Sequence, residues 1–337
     1  MSATSSPTPV LVDLGAGLRV PPQGYGGMSL SDVYGPVSDD DALRTLTHAV
    51  DAGATFVDTA NIYGEGRSER IISRLLTTRR DEVQLATKFG IVPGGRIGER
   101  SVRGDRAHVR EQIERSLGRL GTDHVDLYYQ HRVDPSVPIE DTVGAVAELV
   151  EEGKVRHIGL SEPTGGELRR AVSVHPIAAV QSEWSIVSRD VEAYVVPAAR
   201  ELGVGFVPYS PLGRQWLTGA YDPSAIAEGD GRPKFPRFAD DAIAANRPLL
   251  AEVLDVAVEA GLTPAQLALA WLYDKGRAFG LPVVPIPGTR FPERVDENLA
   301  AVATQLAPEL VARLDAIADR VTGHRSFDPL WVSAGRE

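Results

Sequence analysis

Along most of the chain, short apolar runs alternate with longer stretches in which apolar positions recur every three or four residues. ATFVDTA (54–60), VQLATKF (83–89), HVDLYYQH (124–131), RHIGLSE (156–162), AAVQSEW (178–184), VGFVPYS (204–210) and LPVVPIP (281–287) predict seven strands, and a weaker run near 302–306 is read as an eighth. The intervening stretches predict helices. In SDDDALRTLTHAVDAG, Ser38 is the cap, Asp39, Asp40 and Asp41 face the positive end of the dipole, and Leu43, Leu46 and Val50 form one apolar face ended by Gly53. Similar helices are predicted to stop at Gly121, Gly153 and Gly276.

Apolar strands in alternation with helices imply a parallel sheet covered on its outer face, an α/β architecture. Eight strands favour a closed (β/α)8 TIM barrel over an open sheet, and no G-x-G-x-x-G follows the first strand. VLVDLGAGLRVPP predicts a hairpin around Gly15–Gly17 ahead of the barrel. Nothing in 1–337 reads as a linker, so one domain is expected, with its core about 20–320. Two long Gly/Pro-rich loops, 90–106 and 213–247, follow strand C-termini, the face on which barrel enzymes carry their chemistry.

Composition narrows the function classes. Hydrophobic residues make up 43% of the 337, enough for a large core, and the net charge of −11 argues against nucleic-acid binding. The absence of cysteine removes disulfides, thiolate nucleophiles and zinc–thiolate sites. His48, His108, His124, His157, His175 and His324 show no ligand spacing, so no metal site is expected. The start MSATSSPTPV has no basic or apolar signal region and no run approaches eighteen apolar residues; the expectation is a cytoplasmic protein without membrane association.

Four polar side chains stand at consecutive strand ends: Asp58 and Tyr63 in DTANIYG, Lys88 in ATKFG and His131 after DLYYQ. Singly each has a plain reading, as turn residue, packing phenol, solvated amine or core histidine. Together they form a coherent acid. A lysine ammonium lowers the pKa of a neighbouring phenol, an aspartate balances the lysine, and an imidazole holds the substrate oxygen nearby.

DTANIYG, ATKFG, DLYYQHRVDPSVPIEDTV, EEGKVRHIGLSE, AAVQSEWS, VPYSPLGRQWLTG and IPGTRFPERVDENLAA occur in the order of the aldo-keto reductase signatures, and the chain resembles the longer bacterial and plant members of that family from about 20 to 306. The resemblance implies an NAD(P)H-dependent barrel plugged at its bottom by the hairpin, with Asp58, Tyr63, Lys88 and His131 as catalytic tetrad and Tyr63 as general acid. It implies that Ser161 and Gln181 hold the nicotinamide carboxamide and that Tyr209 stacks on the ring. Ser210, Leu212, Gly213 and Arg214 would line the pyrophosphate path, with Gly27 and Met28 near the nicotinamide ribose and Asp58 also among the cofactor contacts. Gly288, Thr289, Arg290 and Arg294 would hold the adenosine 2′-phosphate, with Glu297 and Asn298 at the adenine. Two arginines and a hydroxyl in one loop suit a dianionic phosphate, so NADPH is expected over NADH.

Two positions depart from the family pattern: Glu162 replaces the asparagine whose amide orients the nicotinamide, and Gln215 replaces a glycine. Trp184, Trp216 and Trp331 are candidate walls for a small-molecule carbonyl substrate, and Arg132 is expected either to pair with Asp134 or to meet an anionic substrate. The expected function is carbonyl reduction. The alternative is a nucleotide-sensing regulatory subunit of the channel β-subunit type, with little turnover; a metal-dependent barrel hydrolase lacks ligands.

Overall fold

The computed structural model describes residues 11–92 and 102–337. A two-stranded antiparallel hairpin, β1 (Val12–Gly15) and β2 (Leu18–Val20), precedes seven parallel strands: β3 (Tyr25–Gly26), β4 (Phe56–Asp58), β5 (Gln84–Phe89), β6 (Val125–Gln130), β7 (Val155–Ser161), β8 (Ile177–Glu183) and β9 (Gly205–Tyr209). They pair in chain order from β3 to β9.

The segment 282–287 closes the ring. Phe206 N donates to Pro282 O (2.8 Å) and Val284 N to Phe206 O (2.9 Å), while Gly24 N donates to Pro285 O (3.0 Å) on the other side. Prolines at 282, 285 and 287 cannot donate, so the ladder toward β3 runs one way only, from β3 into this segment. The molecule is a (β/α)8 barrel with an N-terminal hairpin cap, as the apolar pattern predicts. Leu14, Leu18 and Val20 of the hairpin pack in one buried cluster with Phe56, Ala86, Leu127, Val207 and Ile286 of the barrel interior.

Three expectations are corrected. The eighth barrel position belongs to β3, two residues long and set in PQGYGGMS, where no apolar run marks it. The run near 302–306 instead leaves a 3-10 turn, Ala300–Ala303. The helix expected to stop at Gly276 continues over Pro264–Phe279 to Gly280, at φ 62°. Gly276 is needed for a different reason: a Cβ there would lie 2.8 Å from Val283 Cγ2, inside the contact that seats the helix on segment 282–287.

Other expected elements stand. Ser38 Oγ accepts from Asp41 N (3.1 Å) at the start of helix Asp39–Asp51, and helix Arg106–Leu120 ends at Gly121 in the left-handed region. Helix Ile139–Glu151 ends two residues short of Gly153. Of the loop 90–106, residues 93–101 lie outside the described residues; its ends are tied by Arg103 N to Gly90 O (2.8 Å). The loop after β9 is shorter than expected, since helix Asp240–Ala260 takes up its last part, 240–247. The tail beyond 323 runs back to the barrel mouth as short turns.

Candidate functional site

Parallel register explains why the four polar residues meet. Asp58, the last residue of β4, lies opposite Ala86 of β5, and Lys88 follows two residues on along the same face, opposite Tyr129. His131 is the first residue after β6, its N–H donating to Phe89 O (2.7 Å). Tyr63 is set by a tight turn. Gly64 (φ 58°), Glu65 (φ 53°) and Gly66 (φ 82°) are all left-handed, and the chain then enters helix Arg67–Arg79. Gly27 is required by proximity, since a Cβ there would approach Asp58 O to 2.7 Å.

Lys88 is fully buried. Its ammonium contacts the Asp58 carboxylate and donates to Thr59 O (2.8 Å) and to the Tyr63 hydroxyl (3.3 Å). The second Asp58 oxygen accepts from Gln181 Nε2 (2.8 Å). The Tyr63 and His131 rings meet edge-on, 5.9 Å between centroids. Burial pushes the Asp58 carboxyl above its usual range against the pull of Lys88 and Gln181. Burial also works against the Lys88 ammonium, but Asp58 and Tyr63 outweigh it and hold its pKa above the ordinary lysine value. Lys88 is thus a fixed cation beneath the phenol. The arrangement suits proton transfer to an oxygen placed between Tyr63 and His131.

One elongated cavity of about 460 Å³ opens over this cluster. Asp58, Tyr63 and His131 line one end together with Arg132, Ser161, Gln181 and Tyr209. The same cavity runs on past Met28, Ser210, Leu212 and Arg214 to Gly288, Thr289, Arg290, Arg294, Glu297 and Asn298. Lys88, Gly27 and Gly213 stand behind the wall rather than in it.

The far end is built as a cation cradle. Tyr25 donates to Thr289 O (2.6 Å), Ser29 Oγ to the same oxygen (3.0 Å) and Thr45 Oγ1 to Arg290 O (2.9 Å), which fastens the 288–291 loop to the barrel. Arg290 donates to the carbonyls of Gly35 and Pro36, both at 3.0 Å. Burial, Arg232 and Arg294 all lower its pKa, so positive charge is in excess here. A phosphate group relieves that excess, and a cavity joining this cradle to the Tyr63 end fits a dinucleotide.

The tryptophans divide. Trp331 lines the cavity, beside Phe327 at 5.5 Å between centroids, and Phe327 meets Phe235 at 5.7 Å. Trp184 and Trp216, expected as pocket walls, do not line it. Trp184 points outward between sheet and helices, packed on Phe206 and Trp271, with its indole N–H on Glu192 (2.9 Å). Trp216 is buried in the same apolar cluster. One residue past a strand end, the alternation of faces decides which side a side chain takes, and Trp184 takes the helix side. Arg132 does not pair with Asp134, whose oxygens accept from Gly104 N (2.9 Å), Ser136 N (2.9 Å) and Ser136 Oγ (2.6 Å).

Several wall residues gave no signal in the sequence. Tyr34, Ile62, Phe235 and Phe327 lie in irregular segments without periodicity. Arg325 is the more consequential omission. It forms a two-pronged pair with Glu162 at 2.8 and 2.9 Å and donates to Asp190 (2.7 Å). Ser333 N (3.2 Å) and the Tyr209 hydroxyl (2.8 Å) also donate to Glu162. A buried carboxylate needed a buried cation, but nothing in the sequence placed its partner 163 residues away. Gln215 sits at φ 81°, which explains a glycine at this position, and its side-chain oxygen accepts from Arg232.

A model of the aldo/keto reductase family matches residues 23–319. Among solved structures, the chain is similar to a glycerol dehydrogenase from Gluconobacter oxydans (25% identity over 95% of this chain and 97% of that one, TM-score 0.80). It is similar to a thermostable aldo-keto reductase solved with the inhibitor epalrestat (29% identity, 91% and 99% covered, TM-score 0.71). A third is an aldo/keto reductase from Klebsiella pneumoniae solved with NADP and acetate (25% identity, 92% and 96% covered, TM-score 0.71). A barrel mouth joining phenol, ammonium and imidazole to a cation cradle thus agrees with a match over most of the chain: it belongs to the aldo/keto reductase family, a family of oxidoreductases.

Proposed function

We propose that the protein reduces aldehydes or ketones to alcohols at the expense of NADPH, with Tyr63 as general acid. When bound, the reduced nicotinamide supplies the hydride. Tyr63 gives its hydroxyl proton to the carbonyl oxygen as negative charge develops there, and His131 holds that oxygen in place. Lys88, within 3.3 Å of the Tyr63 hydroxyl, favours the phenolate left behind; Asp58 keeps Lys88 charged and in register. In the reverse direction the same phenolate accepts a proton.

The observation that carries the reading is a single cavity with the Tyr63–Lys88–Asp58 chain at one end and the Arg290–Arg294 cradle at the other. The cradle favours NADPH, because a ribose without a phosphate leaves its charge unmatched. The Klebsiella pneumoniae relative, solved with NADP, supports the same assignment. The test is a panel of aldehydes and ketones, 4-nitrobenzaldehyde among them, with NADPH and NADH side by side and loss of reduced-cofactor absorbance as the readout. Turnover faster with NADPH is expected. Tight retention of NADPH with no turnover on any member would favour the regulatory-subunit reading instead.

A further inference from the structure

Glu162 stands where the resemblance calls for an amide that donates to the nicotinamide carboxamide, and an ionised carboxylate has no proton to give. Its side chain is turned away from the cavity and its oxygens are filled. Oε1 accepts from Arg325 (2.8 Å), the Tyr209 hydroxyl (2.8 Å) and Glu183 N (3.0 Å); Oε2 accepts from Arg325 (2.9 Å) and Ser333 N (3.2 Å). The backbone there has φ 55°, a region that asparagine enters more readily than glutamate, so this network holds the residue in place. Position 162 fastens the tail, and the donor at the nicotinamide must come from elsewhere.

Arg132 faces the cavity from the neighbouring strand end. Its Nη1 donates to Ser161 Oγ (3.1 Å) and to His131 O (2.6 Å), and Nη2 lies 3.4 Å from the Tyr209 hydroxyl. Among the described residues no carboxylate lies within ion-pair distance of it, and its buried Nε has no acceptor. A guanidinium only donates. Its bond therefore uses Ser161 Oγ as acceptor and leaves the serine proton free for a second acceptor. The Tyr209 hydroxyl behaves likewise, accepting from Arg132 while donating to Glu162.

We propose that Arg132 is the cofactor-positioning residue that replaces the missing amide: it fixes the Ser161 hydroxyl as a donor toward the nicotinamide carboxamide oxygen and sets a cation beside that oxygen. The neighbours of the guanidinium favour this over a role at the substrate, since it touches Ser161 and Tyr209, two of the three residues implied to hold the nicotinamide. Gln181 fits the same scheme. Its amide N–H is engaged by Asp58, which leaves its oxygen for the carboxamide NH2.

The inference rests on the NADPH reading, and its test separates the two. NADPH is titrated into the full chain without substrate, following fluorescence, for the wild type, Arg132→Met, Arg132→Lys, Ser161→Ala and the Arg132→Met/Ser161→Ala double variant. Loss of a charge-assisted bond predicts roughly tenfold weaker NADPH binding in Arg132→Met, with partial recovery in Arg132→Lys. Because Arg132 acts through Ser161, the double variant is expected to bind little worse than the weaker single variant. Unchanged affinity in Arg132→Met would overturn the inference, as would fully additive losses. So would intact NADPH binding with a raised KM confined to carboxylate-bearing substrates. Should Arg132→Met fail to fold, Arg132→Lys decides, since it keeps the charge but loses the fork. Failure of the wild type to bind NADPH would sink the functional reading itself.

Discussion

Replacing Glu162 with glutamine removes one negative charge from a fully buried position while nearly preserving shape. Burial alone would raise the Glu162 pKa, but Arg325 and Arg132, with the Glu183 N–H, lower it from 4.5 to about 2. At about 1.4 kcal/mol for each tenfold, that lowering corresponds to about 3 kcal/mol of stability. The folded-state pKa lies below the unfolded one, so the contribution is fully present above pH 4.5 and is lost as the pH falls toward about 2. Glu162→Gln is therefore expected to be less stable than the wild type by about 3 kcal/mol near neutral pH, comparable to breaking one side of a buried pair. Urea unfolding at about pH 7, 4.5 and 3.5 measures the gap, which should narrow at the lowest value. A gap below about 1 kcal/mol near neutrality, or one that ignores pH, would refute the reasoning. Because Arg325 and Ser333 belong to the tail, the variant should also be cut faster near its C-terminus by a protease.

Asp58→Asn leaves Lys88 buried without its counter-charge; activity should be lost and stability fall by about 3–5 kcal/mol in chemical unfolding. Arg290→Met should weaken NADPH binding about tenfold while leaving NADH binding nearly unchanged in parallel titrations. Trp184→Ala and Trp331→Ala should separate: the first destabilises by about 3–5 kcal/mol in thermal or urea unfolding, and the second acts mainly on KM for the carbonyl substrate.

Much of this architecture is legible in the chain because buried parallel strands must be apolar and helices must show a stripe. Strands β4 to β9 obey that rule; β3 does not, since its two residues stand between glycines and make no apolar run, although the Tyr25 side chain is buried. Segment 282–287 reads as a strand, yet its prolines make it an incomplete one. At the site, parallel register brings Asp58, Lys88 and His131 together at strand ends, and the left-handed turn over 64–66 adds Tyr63. The Glu162–Arg325 pair joins residues 163 positions apart through an irregular tail, so no local pattern could announce it. Trp184 illustrates a further limit: proximity to a strand end does not say which face a side chain takes.

The central claim is that Tyr63 delivers the proton that completes carbonyl reduction. It is tested most directly by Tyr63→Phe, with NADPH affinity measured by titration and NADPH oxidation measured with an aldehyde from the panel. The account predicts near-normal NADPH binding and turnover reduced on the order of 10²–10⁴-fold. A Tyr63→Phe protein that binds NADPH normally and keeps more than roughly a tenth of wild-type turnover would contradict it.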